Sequence, residues 1–125
     1  MPPSQETFNE IMKFLFTIQI LNKLYHFNTT KFARHKATDE FDELLQRHID
    51  RFAEAFIGRY NMKPVINSIK LDNDFITDEG IVTMYIQVRN YLINLSNLSL
   101  DSDLLAIRDE LLADVNKTLY LFNLK

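Results

Sequence analysis

Apolar residues in this chain recur at helical spacing in four long stretches, and the links between those stretches are very unequal. The first stretch runs from about Thr7 to Phe27: Phe8, Ile11, Leu15, Ile18 and Tyr25 recur along one face, with Phe14 and Leu21 beside them. Thr7 followed by Glu10 offers a capping box at its start. It is apolar around most of its circumference, which predicts contact on more than one side. The second runs from about Lys31 to Tyr60, with Asn28, Thr29 and Thr30 as possible N-caps and Gly58 marking its end. Thr38-Asp39-Glu40 is a competing start, which would leave His35 in a loop. The third runs from about Asp78 to Leu95 behind Thr77. The fourth runs from about Ser102 to Phe122 behind Asp101, with Leu104, Leu105, Leu111, Leu112, Val115, Leu119 and Phe122 as its apolar face.

A few residues join the first helix to the second and the third to the fourth, so each pair is an antiparallel hairpin. The link from Asn61 to Thr77 is much longer, and at up to about 3.3 Å per residue it can traverse a bundle. Two hairpins with one long crossover make an all-α, ferritin-like four-helix bundle; an up-down-up-down bundle would not need that link. The 125 residues suit one domain over the whole chain, 1–125. Two Gly and three Pro suit long helices better than a sheet with many tight turns.

Absence of Cys excludes disulfides, thiolate metal sites and Cys nucleophiles. The net charge of −3 argues against a strongly basic nucleic-acid surface. A short N-terminal tail, about residues 1–6, is expected to be disordered; it has no Lys or Arg, so DNA binding through it is not expected. No apolar run is long enough to span a membrane. The run from Ile11 to Leu24 is interrupted by Lys13, Gln19, Asn22 and Lys23 and lacks a basic leader, so it is a poor signal peptide and a cytoplasmic protein is expected. No phosphate-binding glycine loop or nucleophile elbow is present.

Chemistry concentrates in the tract Tyr25-His26-Phe27-Asn28, followed by His35, Asp39, Asp50 and Glu54. At about 100° per residue, the last four fall within about 100° of one another on the second helix, as two i, i+4 pairs. Imidazole with carboxylate suits iron, manganese or zinc. One chain cannot bring both pairs to one ion, because Asp39 and Asp50 are about 16 Å apart along the axis. Two copies of the helix laid antiparallel about a two-fold axis would set His35 against Glu54 and Asp39 against Asp50, making two equal sites per dimer. His26, at the end of the first helix, could complete either site.

This tract resembles the Dps-type mini-ferritins, whose pattern is a His-aromatic-Asn, a second His, an Asp four residues on, an Asp eleven beyond it and a Glu after four more. The resemblance is specific over residues 21–58, where Ile49-Asp50 and Ala53-Glu54 also match. It implies a homodimer within a dodecameric cage. The site would lie between subunits, with His26, Asp50 and Glu54 from one and His35 and Asp39 from the other, and Glu54 as a candidate bridge. It implies a ferroxidase that oxidises iron(II), typically with peroxide, and stores ferric iron; zinc or manganese could take its place. No other protein partner and no membrane partner is implied. Lys31 to Glu40 also looks like mini-ferritin-like proteins of large DNA viruses, which would place the chain in host cytoplasm or virion.

Three departures stand against that pattern. The interval from His26 to His35 is three residues shorter than usual in the family. Phe27 replaces the usual Trp, leaving Tyr25 or Tyr60 as the nearest substitutes for an oxidisable indole. The basic tail of some members is missing. The alternative on the same scaffold is a non-catalytic oligomer with a structural or nucleic-acid-associated role, and a third reading is a monomeric helical adaptor. His48 falls toward Phe41, Leu44 and Phe52 and reads as a boundary or core residue. Glu43 and Gln46 share the metal stripe. Lys31, Arg34 and Lys36 read as a basic helix-face patch.

Overall fold

Four α-helices are present among the residues described by the computed structural model, 2–124, and no strand is. They are α1 (Gln5–Asn28), α2 (Phe32–Tyr60), α3 (Asp78–Asn94) and α4 (Ser102–Phe122); single 3₁₀ turns lie at Asn73–Phe75 and Leu95–Asn97.

Most helix ends follow from local capping, not always by the residues expected. Ser4, not Thr7, caps α1: its hydroxyl accepts the Thr7 N–H at 3.1 Å. The helix therefore opens inside the stretch expected as a disordered tail, where Gln5 also donates to the Lys63 carbonyl at 2.6 Å; Met1 lies outside the described residues. Asn28 and Thr29 do not cap α2 by hydrogen-bonding into its first turn. Asn28 donates back to the Leu24 carbonyl and Thr29 accepts the Lys31 N–H, so the α1–α2 corner is closed from within. Gly58 does not end α2. Two further residues are helical, and Asn61 takes the left-handed conformation at φ 54°, which Asn tolerates. Gly80 is the glycine the fold requires: a Cβ there would sit 1.8 Å from the Asp74 carbonyl oxygen, where the crossover meets the first turn of α3. Thr77 caps α3 as expected, accepting the Gly80 N–H at 2.9 Å. Asp101 precedes α4 without a side-chain cap; its carboxylate is held by the Tyr60 hydroxyl and by Arg59.

Helix directions follow from which ends touch. Arg59 and Tyr60 at the end of α2 bind Asp103 and Asp101 at the start of α4. Asp78 at the start of α3 meets Tyr25 near the end of α1 and Arg34 near the start of α2. So α2 and α3 run parallel, each hairpin is antiparallel, and the link from residue 61 to residue 77 carries the chain back along α2, a helix about 43 Å long. The α2 helix lies against both α1 and α4.

One continuous apolar core joins all four helices. Phe8 stacks on Phe56 at 3.9 Å between ring centroids, Phe14 on Tyr91 at 3.7 Å, and Tyr85 meets Phe41 and Phe122 at 5.0 Å each. Burial of each such ring contributes on the order of 2 kcal/mol, which fixes the helices rigidly enough to carry a site on their outer faces. No described helix is long and apolar enough to cross a membrane.

Candidate metal-binding face

Because α2 begins at Phe32, His35 lies in its first turn rather than in a loop. The tight corner then brings His35 onto His26 at the end of α1. The two rings stack at 3.9 Å between centroids with 17° between their planes. Their hydrogen bonds are reciprocal. His26 Nδ1 lies 2.8 Å from the His35 carbonyl oxygen, and His35 Nδ1 lies 3.0 Å from the His26 carbonyl oxygen. A carbonyl only accepts, so each neutral ring carries its proton on Nδ1 and keeps a lone pair on Nε2. Metal-ligating histidines are commonly oriented in this way, by a carbonyl on the far nitrogen.

The expected carboxylates line the exposed side of α2. Asp39, Asp50 and Glu54 are all exposed and form no ion pair with any described residue. The α4 helix differs: each of its carboxylates is paired, Asp103 with Arg59, Asp109 with Arg108, Glu110 with Arg51 and Asp114 with His48. On α2, among the described residues, only Asp42 is paired, with Lys23 at 3.5 Å. That pair places the α2 stripe beside an apolar strip of α1. Lys23 lies 5.5 Å above the Phe27 ring, and Phe27 is 69% and Ile20 38% exposed.

Within one chain these groups are not assembled. Among the described residues no three His, Cys, Asp or Glu side chains lie close enough to hold an ion. His26, His35 and Asp39 share one end of the face, and Asp50 and Glu54 lie toward the other. The grouping implied by the family resemblance, with His26 on the same side as Asp50 and Glu54, differs from this arrangement. The shortened corner puts His26 with His35 of its own chain.

Other candidates have structural partners. Arg34 donates to the Asp78 carbonyl at 2.6 Å and to the Tyr25 hydroxyl at 3.2 Å, and its guanidinium carbon lies 4.9 Å from the Phe122 ring centroid. Lys31 pairs with the Asp78 carboxylate at 3.5 Å, which leaves Lys36 as the member of the basic patch without an ion pair among the described residues. Tyr25 is buried and donates to the Asp78 carboxylate at 2.7 Å. Burial raises the Tyr25 pKa, while the Tyr25 hydrogen bond, helped by Lys31 and Arg34, lowers that of Asp78. Tyr60 lies at the far pole beside Asp101. His48 is buried as expected: Nε2 lies 2.7 Å from the Asp114 carboxylate, and Nδ1 has no partner. His48 also borders a cavity of about 10 Å³ with Arg108, Phe52 and Leu111. Spacing gave no sign that Asn22, Thr38 and Tyr85 form a buried polar set behind the histidine pair; Thr38 stood out only as a competing helix start. Asn22 appeared only as an interruption of an apolar run.

Fold and surface thus define an all-helical bundle with an unpaired acidic stripe and a histidine pair at one corner. A family model matches residues 26–122, and the chain belongs to that family, described as a family of unknown function (DUF5856). The matched span includes His26, His35, Asp39, Asp50 and Glu54. No curated protein and no solved structure matches the chain.

Proposed function

We propose that this chain is a ferritin-like, Dps-type mini-ferritin subunit that binds and oxidises iron(II) at a site shared between two copies. The observation that carries the reading is the reciprocal histidine pair, with both Nδ1 atoms on backbone carbonyls and both Nε2 lone pairs left for a cation. Parallel α2 and α3 joined by a full-length crossover support the ferritin-like bundle. The unpaired Asp39, Asp50 and Glu54, next to exposed Phe27 and Ile20, support an α1–α2 face that packs on a second copy. Carboxylates left without counter-ions on an interface would be costly unless a cation joined them.

In an antiparallel pair of α2 helices, His35 and Asp39 of one subunit come opposite Glu54 and Asp50 of the partner subunit. His26 joins from the same chain as His35. This imidazole–carboxylate set suits iron(II), the substrate, which gives up an electron to oxygen or peroxide; manganese or zinc fits the same donors. The protein supplies geometry. The carbonyl-bound rings hold Nε2 in place, and the carboxylates offset the charge that grows as iron(II) becomes iron(III). Closure of the oligomer would then set where ferric iron accumulates.

Iron(II) oxidation followed by absorbance, with oxygen and with peroxide, tests the reading against Asp50→Asn. Fast oxidation that falls at least tenfold in the variant is expected. Oxidation no faster than a buffer blank would overturn it and favour a non-catalytic oligomer on the same scaffold.

A further inference from the structure

Behind the histidine pair runs a chain of buried hydrogen bonds that crosses three helices. The Tyr85 hydroxyl, from α3, donates to Asn22 Oδ1 on α1 at 2.5 Å. Asn22 Nδ2 donates across to the Thr38 carbonyl on α2 at 3.0 Å. The Thr38 hydroxyl donates to the carbonyls of Arg34 and His35 at 2.8 and 3.1 Å, and lies 3.1 Å from His26 Nδ1 as a second acceptor for that proton. Asn22 and Thr38 are wholly buried and Tyr85 is 1% exposed. Asn22 precedes His26 by one helical turn and Thr38 follows His35 by nearly one, so the Asn22–Thr38 bond sits directly inside the corner the histidines close.

These bonds do different jobs. The carbonyls of His26 and His35 set which nitrogen of each ring carries the proton, but only while α1 stays in one register against α2. Sliding of either helix by an ångström would break both reciprocal bonds together, since each joins a ring on one helix to the backbone of the other. Apolar packing is nondirectional and resists such sliding weakly. The Asn22–Thr38 bond is directional: the Thr38 carbonyl can only accept, so the amide nitrogen faces α2, and the Tyr85 hydroxyl holds the amide in that orientation by donating to Oδ1 at its other end.

We propose that Asn22, oriented by Tyr85, is a positioning residue that holds α1 and α2 in the one register at which His26 and His35 fix each other as Nδ1–H tautomers with Nε2 free to ligate. The ligating role rests on the mini-ferritin reading; the register and tautomer do not. Neither Asn22 nor Tyr85 touches the cation.

The test is the double variant Asn22→Leu with Tyr85→Phe, compared with wild type by ¹⁵N NMR of the histidine rings and by Zn²⁺ binding to the metal-free protein. Replacing both partners by apolar groups of similar shape leaves no orphaned side-chain amide, so the bundle should fold. Wild type should show both rings as Nδ1–H tautomers with slowly exchanging protons. The double variant should show mixed tautomers and fast exchange at His26 and His35, with His48 unchanged. Its Zn²⁺ affinity should fall about 10–100-fold, the usual cost of losing an outer partner of a ligand. Wild-type tautomers and exchange in the folded double variant would overturn the proposal. If the double variant fails to fold, Tyr85→Phe alone decides in the same way. Should wild type bind no Zn²⁺ while the tautomers still shift, the positioning role stands and the mini-ferritin reading loses its support.

Discussion

His26 and His48 are equally buried, each 7% exposed, yet their surroundings oppose each other. His26 spends Nδ1 on a carbonyl and a hydroxyl from α2 and leaves Nε2 without a protein partner. His48 gives Nε2 to the Asp114 carboxylate across the α2–α4 seam and keeps Nδ1 buried without a partner, and the residue lines a small, mostly apolar cavity. A free nitrogen beside an exposed acidic stripe can reach a cation. A nitrogen buried away from solvent has no such access. Burial therefore separates neither residue from the other; the identity of the bonded nitrogen does. His26 belongs to the chemistry proposed for the α1–α2 face, and His48 to the packing of α2 on α4.

The largest effect that can break this contrast is on iron oxidation. His35→Ala removes one ring of the stacked pair and should slow oxidation at least tenfold, about 1.4 kcal/mol or more in the barrier. His48→Gln should leave the rate within about twofold of wild type, since surroundings without the cation act only through stability. Equal losses in both variants would mean that the α2–α4 seam is coupled to the face, and the distinction drawn from the bonded nitrogen would fail.

Much of this was legible in the sequence because helical period and link length are local properties. Ser102 and Phe122 bound α4 as the apolar pattern predicts, and Thr77 caps α3. Where prediction failed, two local signals competed. Ser4 and Thr7 both suit an N-cap, and only the anchoring of Gln5 on Lys63 of the distant crossover shows why the earlier one is used. Gly58 and Asn61 both suit a C-terminus, and the glycine's open surroundings place no demand on it. The candidate site divides similarly. Residues 35, 39, 50 and 54 share a stripe by arithmetic alone, and their exposure follows from that stripe. The stacking of His26 on His35 depends on how tightly the corner Thr29–Lys31 turns, which spacing bounds but does not fix. The bond between Asn22 and Thr38 was invisible because it joins two helices, and nothing in either segment alone asks for it.

A smaller effect sharpens the contrast through stability. His26→Leu removes the ring that bonds the His35 carbonyl and the Thr38 hydroxyl, so it should cost about 1–3 kcal/mol in urea unfolding. His48→Leu should lie within about 1 kcal/mol of wild type. It removes an unpartnered buried nitrogen, and the Asp114 carboxylate it abandons is partly exposed and can rehydrate. A costly His48→Leu beside a harmless His26→Leu would show that the His48–Asp114 bond, and not the hydrogen-bonded His26 corner, holds more of the stability, and the corner could not be the tightly bonded unit described.

The smallest effect concerns acid, and it probes what braces the histidine corner from outside. Asp78 accepts the Tyr25 hydroxyl and pairs with Lys31, and its pKa is lowered from the ordinary value of 3.8. A carboxyl with a depressed folded-state pKa contributes stability that is fully present above its unfolded value and is lost as pH falls through the folded one. Native Asp78 therefore releases its proton more readily than the unfolded chain does, and its contribution should fade below about pH 4. Asp78 is partly exposed, so solvent screening keeps the change modest. Melting temperature measured between pH 3 and 7, ranges set by that carboxylate titration, should fall less steeply on the acid side in Asp78→Asn than in wild type. Amide exchange at the α1–α2 corner should show the same difference between wild type and Asp78→Asn locally, while around His48 the two proteins should respond to acid alike, since the seam has its own carboxylate pairs. A difference between wild type and Asp78→Asn as large at the seam as at the corner would show that Asp78 supports the bundle as a whole. The histidine corner would then have no brace of its own, and its geometry would rest on the buried Asn22–Thr38 bond alone.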